Sequence, residues 1–306
     1  MIYTVTCNPA LDYAVRVPTL MLGELNRTED TLLAPGGKGI NVSRILTALK
    51  QGGKAMGFTA GEAGLLLEGM LHRAGVETDF VVLPEGNTRI NVKLHADTET
   101  EVNASGAPVD AASLKALTEK LDALKAGDVL CLCGSLPPGM AKDAYAALLE
   151  KVAGRGVYTV LDAAGEALVA GLAAHPWLIK PNRQEMSELL GVKVETLSQA
   201  TEAARGLQEK GARHVLVSLG GEGALLCTQE GQRYYLSAPT GQVRGTVGSG
   251  DSMVAGFVTG FVTAGSLTEA LRMGVAAGSA TAFAGELANR EQIKAVLERV
   301  GQPEEL

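Results

Sequence analysis

Short apolar runs that end at a glycine or an aspartate recur along this chain, and helical patterns fill the intervals between them. The runs are "IYTVT" at 2–6, "DVLCLCGS" at 128–135, "VYTVLD" at 157–162 and "HVLVSLGGEG" at 214–223. Ile40, Ile45, Leu46 and Leu49 mark one helical face, and Leu114, Leu117, Leu121 and Leu124 mark another with Asp110 placed to cap it. Ser266 and Glu269 form a capping-box pattern before Leu271, Val275 and Ala276. Continuous apolar strands separated by helices predict an α/β fold, a mostly parallel sheet covered by helices on both faces. The 38 glycines in 306 residues suit the many tight strand-to-helix turns of such a fold. Sheets of this kind bind ligands beyond the carboxyl ends of their strands. Gly134–Ser135, Gly220–Gly223 and the 245–251 loop all fall at or near such ends.

One set of segments breaks the alternation. Residues 12–18, 30–34, 88–95 and 99–103 read as short strands with polar–apolar alternation, and "ADT" between the last two is a hairpin turn. They predict a small antiparallel β-lid standing off the main sheet, within one domain over 1–306. Nothing helical is left to cover the lid, so a second subunit is expected there and the protein is expected to be a homodimer.

Charge and composition exclude several classes. The net charge is −7 with no basic run, so neither nucleic acid nor an anionic membrane is an expected partner. "MIYTVTCNPALD" lacks the pattern of a secretory signal, and the longest apolar stretch, from Met253 to Gly265, is shorter than the roughly 20 residues of a membrane span. A soluble, cytoplasmic protein is expected. Cys7, Cys131, Cys133 and Cys227 form no C-x-x-C pair, and the four histidines lack ligand spacing, so no structural metal is expected.

Five short stretches carry possible chemistry, and each has a plain structural reading beside it. In "GTVGSGDSMVAGF" (245–257), Asp251 follows a glycine-rich turn at a helix start. It is either an N-cap or a carboxylate base held beside an anion site made by free helix amides. "PGGKGINVSR" (35–44) is no Walker A loop, since Gly39 follows Lys38. It is either a glycine turn or a cradle in which Gly37, Lys38 and Asn41 face a polyhydroxylated, anionic ligand. "KPNRQE" (180–185) spaces Asn182 and Glu185 as a capping box, or as a carboxylate holding waters around Mg²⁺. "SLGGEG" (218–223) is a tight turn or a bare-backbone nucleotide surface. "NPALD" (8–12) puts Asp12 after the first strand, where it can accept hydrogen bonds from sugar hydroxyls. Arg89, on the lid, is a surface arginine or a bidentate grip on phosphate.

The joint order of these stretches resembles the ribokinase-like (PfkB-type) carbohydrate kinases over essentially the whole chain. "GGKGINVSR" is similar to the family's first signature, "GTVGSGDSMVAG" to its second and "KPNRQE" to its N-x-x-E motif. "NPALD", "GELNR", "GGKGIN", "TRINVKL" and "EALVAGLAAHPWLIKPNRQE" are most similar to the bacterial 1-phosphofructokinase branch. Tagatose-6-phosphate kinases and the minor 6-phosphofructokinases are close relatives. The resemblance implies ATP and Mg²⁺ as cofactors and a dimer. By position it implies Asp251 as catalytic base, with Gly248, Ser249 and Gly250 as anion hole. Ser218, Gly220 and Gly223 line the nucleotide site, with Lys180, Asn182 and Glu185 close to phosphate and to a metal held by Glu185 through water. Asp12, Gly37, Lys38, Asn41 and Arg89 face the sugar phosphate. A lysine of some 6-phosphofructokinases is Glu24 here, which argues against fructose 6-phosphate and leaves Asn26, Arg27 and Lys38 as phosphate partners.

The expected activity is therefore ATP-dependent phosphorylation of fructose 1-phosphate to fructose 1,6-bisphosphate. The alternatives are tagatose-6-phosphate or fructose-6-phosphate kinase activity and, from another class, a non-catalytic sugar-phosphate sensor. The joint presence of Asp251, Asn182 and Glu185 disfavours the sensor. A nicotinamide dehydrogenase is excluded by the lack of a G-x-G-x-x-G after the first strand.

Overall fold

The computed structural model describes residues 1–306. A large sheet runs through the molecule. Its parallel part follows the spatial order Glu77–Thr78, Gly53–Thr59, Ile2–Thr6, Val129–Cys133, Tyr158–Asp162, Leu178–Ile179 and His214–Ser218. Beyond His214–Ser218 the strands Ala224–Cys227, Arg233–Leu236 and Glu304–Glu305 continue it antiparallel, joined by short turns that need no crossover helix.

The central strand Val129–Cys133 is apolar at every position because both of its faces are covered. In Val129–Cys133, Leu130 and Leu132 point into one core, which Tyr145, Leu149, Leu168 and Leu207 fill from helices on that side. Val129, Cys131 and Cys133 point into the other, packed by Ile45, Val254, Phe257 and Leu271. That second face carries helix Lys38–Ala48, helix Ser249–Ala264 and helix Leu267–Ala284. The last two lie close together because small residues line their contact: a side chain at Gly256 would collide with the Met273 carbonyl oxygen and the Ala277 methyl group.

Four strands stand apart as the lid: Ala10–Arg16, Asp30–Gly36, Arg89–His95 and Glu99–Val102. Their order places Ala10–Arg16 and Arg89–His95 at the centre. The two outer pairs are antiparallel, but the central pair is parallel, so the lid is mixed rather than the antiparallel sheet expected from the sequence. The reason is connectivity. The central strands are separated by one lid strand, two helices and part of the main sheet, and that long return delivers the second strand in the same direction as the first. Asp30–Gly36 leads directly through Gly37 into helix Lys38–Ala48, so the lid and the start of that helix are one continuous piece of chain. Leu11 from the lid and Ile40, Leu67 and Leu71 from the core form a small cluster beneath it. No helix is long and apolar enough to cross a membrane.

Candidate active site

The carboxyl ends of the parallel strands converge with three helix starts. Strand Tyr158–Asp162 ends on Asp162, strand Leu178–Ile179 is followed by Lys180, and strand His214–Ser218 ends on Ser218. Helices Lys38–Ala48, Arg183–Leu190 and Ser249–Ala264 begin at the same edge and bring Lys38, Glu185 and Asp251.

Asp251 does not cap its helix. The N-cap is Gly248, which makes Asp251 the third residue of the first turn, and its carboxylate instead accepts a hydrogen bond from Asn41 (Nδ2 to Oδ2, 2.8 Å). Asp251 is only 7 % exposed. Burial and the nearby Asp162 push its pKa up to about 6, while the Asn41 hydrogen bond, Lys38 and Lys180 pull the other way. A carboxylate poised there is ionised at neutral pH and still basic enough to take a proton. Two amides of the same turn are unused. Ser249 N–H already bonds the Thr246 carbonyl, whereas Gly250 and Asp251 have no preceding carbonyl within their helix to bond. The Ser249 hydroxyl is buried without a partner. Two bare amides and a hydroxyl at a helix N-terminus suit an anion.

Two lysines complete the charge arrangement, with Asp162 between them. Lys38 Nζ is 3.1 Å and Lys180 Nζ 3.6 Å from Asp162 Oδ1. Asp162 is fully buried; desolvation works against its charge, yet Lys180 and Lys38 hold its pKa below the ordinary aspartate value. Lys38 also lies 3.8 Å from Glu185 Oε1. Burial alone would lower the Lys38 pKa, but Asp162 and Glu185 together raise it, so the side chain stays a cation. Lys180 Nζ lies 3.2 Å from where a side chain would begin at Gly250, so that ammonium stands over the helix start and a side chain at 250 would push it aside.

Asn182 and Glu185 form a complete capping box: the Asn182 side chain accepts from Glu185 N–H at 2.8 Å, and Glu185 Oε2 accepts from Asn182 N–H at 2.9 Å. The other carboxylate oxygen of Glu185 faces Lys38, so the capping box leaves that oxygen uncommitted. Asn182 also bridges to Ser218 backbone, which brings the 218–223 turn alongside; Gly220 opens a 3-10 turn and Gly223 ends it.

The sugar-facing residues of the sequence reading divide into separate groups. Asp12 shares one lid face with Asn91 and Lys93: Asn91 Nδ2 donates to Oδ1 at 3.0 Å and Lys93 pairs with Oδ2 at 3.4 Å. Gly36, which pairs with Ala10, lies beside the Asp12 carboxylate, and a side chain there would run into it. Arg89 directs Nε and Nη2 to the Asn8 carbonyl (3.2 and 2.9 Å) and Nη1 to the Ala104 carbonyl. It lines an open cavity of about 700 Å³ together with Asn87, Thr88, Ser105 and Gly106, whose walls include none of Lys38, Asn41, Asp162 or Asp251. Lys38 is placed with Asp162 and Glu185, not beside Asp12 or Arg89. Asn41 is bonded to Asp251. Gly37 is the N-cap of their helix, at φ 109°. Asn26 is bonded to the backbone of Met21 and Glu24 within its own loop, and Arg27 is exposed in that same loop.

Three residues of this arrangement were not picked out from the sequence. Asp162 was visible only as the end of a strand, and the strand-end rule was the signal that would have promoted it. Asn91 and Lys93 join Asp12 only through the parallel pairing of the two lid strands, which pairs Asp12 with Asn91 and Ala14 with Lys93.

The pfkB family carbohydrate kinase profile matches residues 6–292. The chain belongs to the pfkB family of carbohydrate kinases. It is 41% identical to the 1-phosphofructokinase of Bacillus subtilis (strain 168) over 98% of both chains. It is 36% identical to the D-tagatose-1-phosphate kinase of Bacillus licheniformis, over 92% of this chain and 93% of that one. Among solved structures it is similar to the phosphofructokinase-2 of Escherichia coli in complex with fructose-6-phosphate, with TM-score 0.89 and 30% identity over 97% of this chain and 98% of that one. This carbohydrate kinase is thus a phosphotransferase acting on a sugar hydroxyl.

Proposed function

We propose that this kinase transfers the γ-phosphoryl group of ATP to fructose 1-phosphate, giving fructose 1,6-bisphosphate. The observation that carries the chemistry is Asp251, a buried carboxylate with one oxygen held by Asn41, set at a helix start beside Lys180 and Lys38. The substrate assignment draws on the 1-phosphofructokinase relative at 41% identity. In this reading Asp251 accepts the proton of the attacking sugar hydroxyl. Gly248, Ser249 and Gly250, with the Asp251 amide, receive the charge of the transferred group, and Lys38 and Lys180 neutralise it from the sides. Ser218, Gly220 and Gly223 take the nucleotide. Asp12 and Gly37 face the sugar, and Arg89 its phosphate. A homodimer joined through the lid is part of the same proposal.

The residues present fit a hydrated Mg²⁺. Asp162 Oδ2 is buried without a partner, and Glu185 Oε1 has only a lysine at 3.8 Å. Glu185 would hold the ion through water, with Asn182 fixing the carboxylate by their capping box. When bound, the ion would supply charge neutralisation for the phosphoryl group being transferred.

A coupled assay with fructose 1-phosphate, fructose 6-phosphate, tagatose 1-phosphate and tagatose 6-phosphate tests the reading. The highest kcat/KM is expected for fructose 1-phosphate. A higher value for either tagatose phosphate overturns the substrate and leaves the kinase standing. ATP turnover that no sugar phosphate accelerates overturns the whole proposal.

A further inference from the structure

Asn41 lies 210 residues from Asp251 in sequence, yet its amide is bonded directly to the carboxylate. A carboxylate only accepts, so Asn41 must present Nδ2, and it does so to Oδ2 alone. No other donor of the chain bonds Asp251, so Oδ1 is left free. We propose that Asn41 is the positioning residue of the base: it fixes Asp251 Oδ2 so that Oδ1 is the oxygen presented to the substrate hydroxyl. This rests on the kinase reading above and assigns Asn41 a task distinct from the sugar contact that the sequence suggested.

The surroundings make the hydrogen bond matter. Asp251 is faced by Asp162, which opposes its ionisation, and by Lys38 and Lys180, which favour it; the Cys133 thiol behind it is kept neutral by burial. Neither lysine is within bonding distance of Asp251, since both are engaged by Asp162. Asn41 is therefore the one group that stabilises the charged base by contact and also fixes its rotamer. Asn41 sits on the first turns of helix Lys38–Ala48, whose buried Ile40, Val42 and Ile45 anchor it to the sheet. The donor is thus rigid, as a positioning group needs to be.

The step it serves is simple in its balance. The sugar oxygen forms its bond to the γ-phosphorus as the bond from phosphorus to the β,γ-bridging oxygen breaks. The hydroxyl proton passes to Oδ1, and the leaving oxygen departs with its electron pair on ADP. Without Asn41 the carboxylate rotates freely and binds its proton more tightly.

The test combines kinetics with a direct titration. Asn41→Ala is expected to lower kcat at least tenfold and to move the acid limb of the kcat–pH profile upward by about one pH unit, the size of a lost hydrogen bond to a charged group. Asn41→Ser, which keeps a donor, is expected to recover part of both losses and serves if the alanine variant is unstable. In the Asp251→Asn background, Asn41→Ala is expected to cost little more. ¹³C titration of the carboxyl signal absent from Asp251→Asn should show the same upward shift, and that readout needs no turnover, so it stands even if the sugar substrate is assigned wrongly. An unmoved pH limb and an unmoved carboxyl titration, or losses that simply multiply in the double variant, would overturn the proposal.

Discussion

At the scale of single residues, the site is a set of charges that restrain one another. Asp251 has its pKa raised to about 6 by burial and by Asp162. In the proposed role Asp251 works only when ionised, so kcat should fall as pH drops through about 6 and be level above it. Asp251→Asn should leave the fold and ATP binding intact and lower kcat by on the order of 10²–10⁴; unchanged turnover would remove the base assignment. The same shift has a stability consequence. A carboxyl group whose pKa is higher in the folded state favours folding while protonated, and that contribution is lost as pH rises through the folded pKa. At pH 8 the charged Asp251 therefore costs up to about 3 kcal/mol, and Asp251→Asn should melt above the wild type at pH 8, with the gap closing toward pH 4. Asp162 behaves oppositely because two lysines depend on it. Asp162→Asn leaves the buried Lys180 ammonium without its partner and should destabilise by on the order of 3–5 kcal/mol in denaturant melts.

At the scale of elements, the starts of helices do two jobs at once. Helix Arg183–Leu190 is capped by the Asn182–Glu185 box, and the same Glu185 offers its other oxygen to the site. Glutamine satisfies a capping box as glutamate does. Glu185→Gln should accordingly leave the melting temperature near that of the wild type while raising the Mg²⁺ concentration needed for half-maximal rate. Glu185→Ala should lose both, with about 1 kcal/mol of stability gone. A normal metal requirement in the glutamine variant would reduce Glu185 to a cap. Behind the site, helix Ser249–Ala264 is held on helix Leu267–Ala284 by backbone contact at Gly256 and by a buried hydrogen bond between the hydroxyls of Ser252 and Thr281 at 2.8 Å. That hydrogen bond lies one residue past Asp251, so the helix start carrying Asp251 is anchored from its buried side.

At the scale of the whole molecule, the lid is the incomplete part. Ile90 and Val102 are 47% and 59% exposed, and the register of the lid strands sets them on the same face. On the other face Leu32 is 57% exposed. Apolar side chains on exposed strands are a surface that pairing would cover. Light scattering at micromolar concentration should give twice the 31.7 kDa chain mass. Ile90→Lys together with Val102→Lys should shift that mass toward the monomer without changing the far-ultraviolet circular dichroism. A monomeric wild type would overturn the lid-mediated dimer.

What the sequence determined by itself was everything set by neighbours in the chain. The apolar strands, their glycine ends, the helical faces and the 182–185 capping box depend on side-chain period and backbone preference over a few residues, and those are legible locally. The carboxyl-edge location of the site followed from the strand–helix alternation alone. Tertiary structure decided which groups meet. Asn41 reaches Asp251 and Lys38 reaches Asp162 across 210 and 124 residues, and no periodicity encodes such a meeting. The order of parallel strands in the sheet does, because it lines up the ends of segments far apart in the chain. The same is true of the lid, where only the parallel pairing of its central strands puts Asn91 and Lys93 around Asp12. Whether Asp251 was a cap or a base was open in the sequence because both roles need a carboxylate at a helix start. The backbone settled where the helix begins, at Gly248, and left that carboxylate free to be bound by another helix.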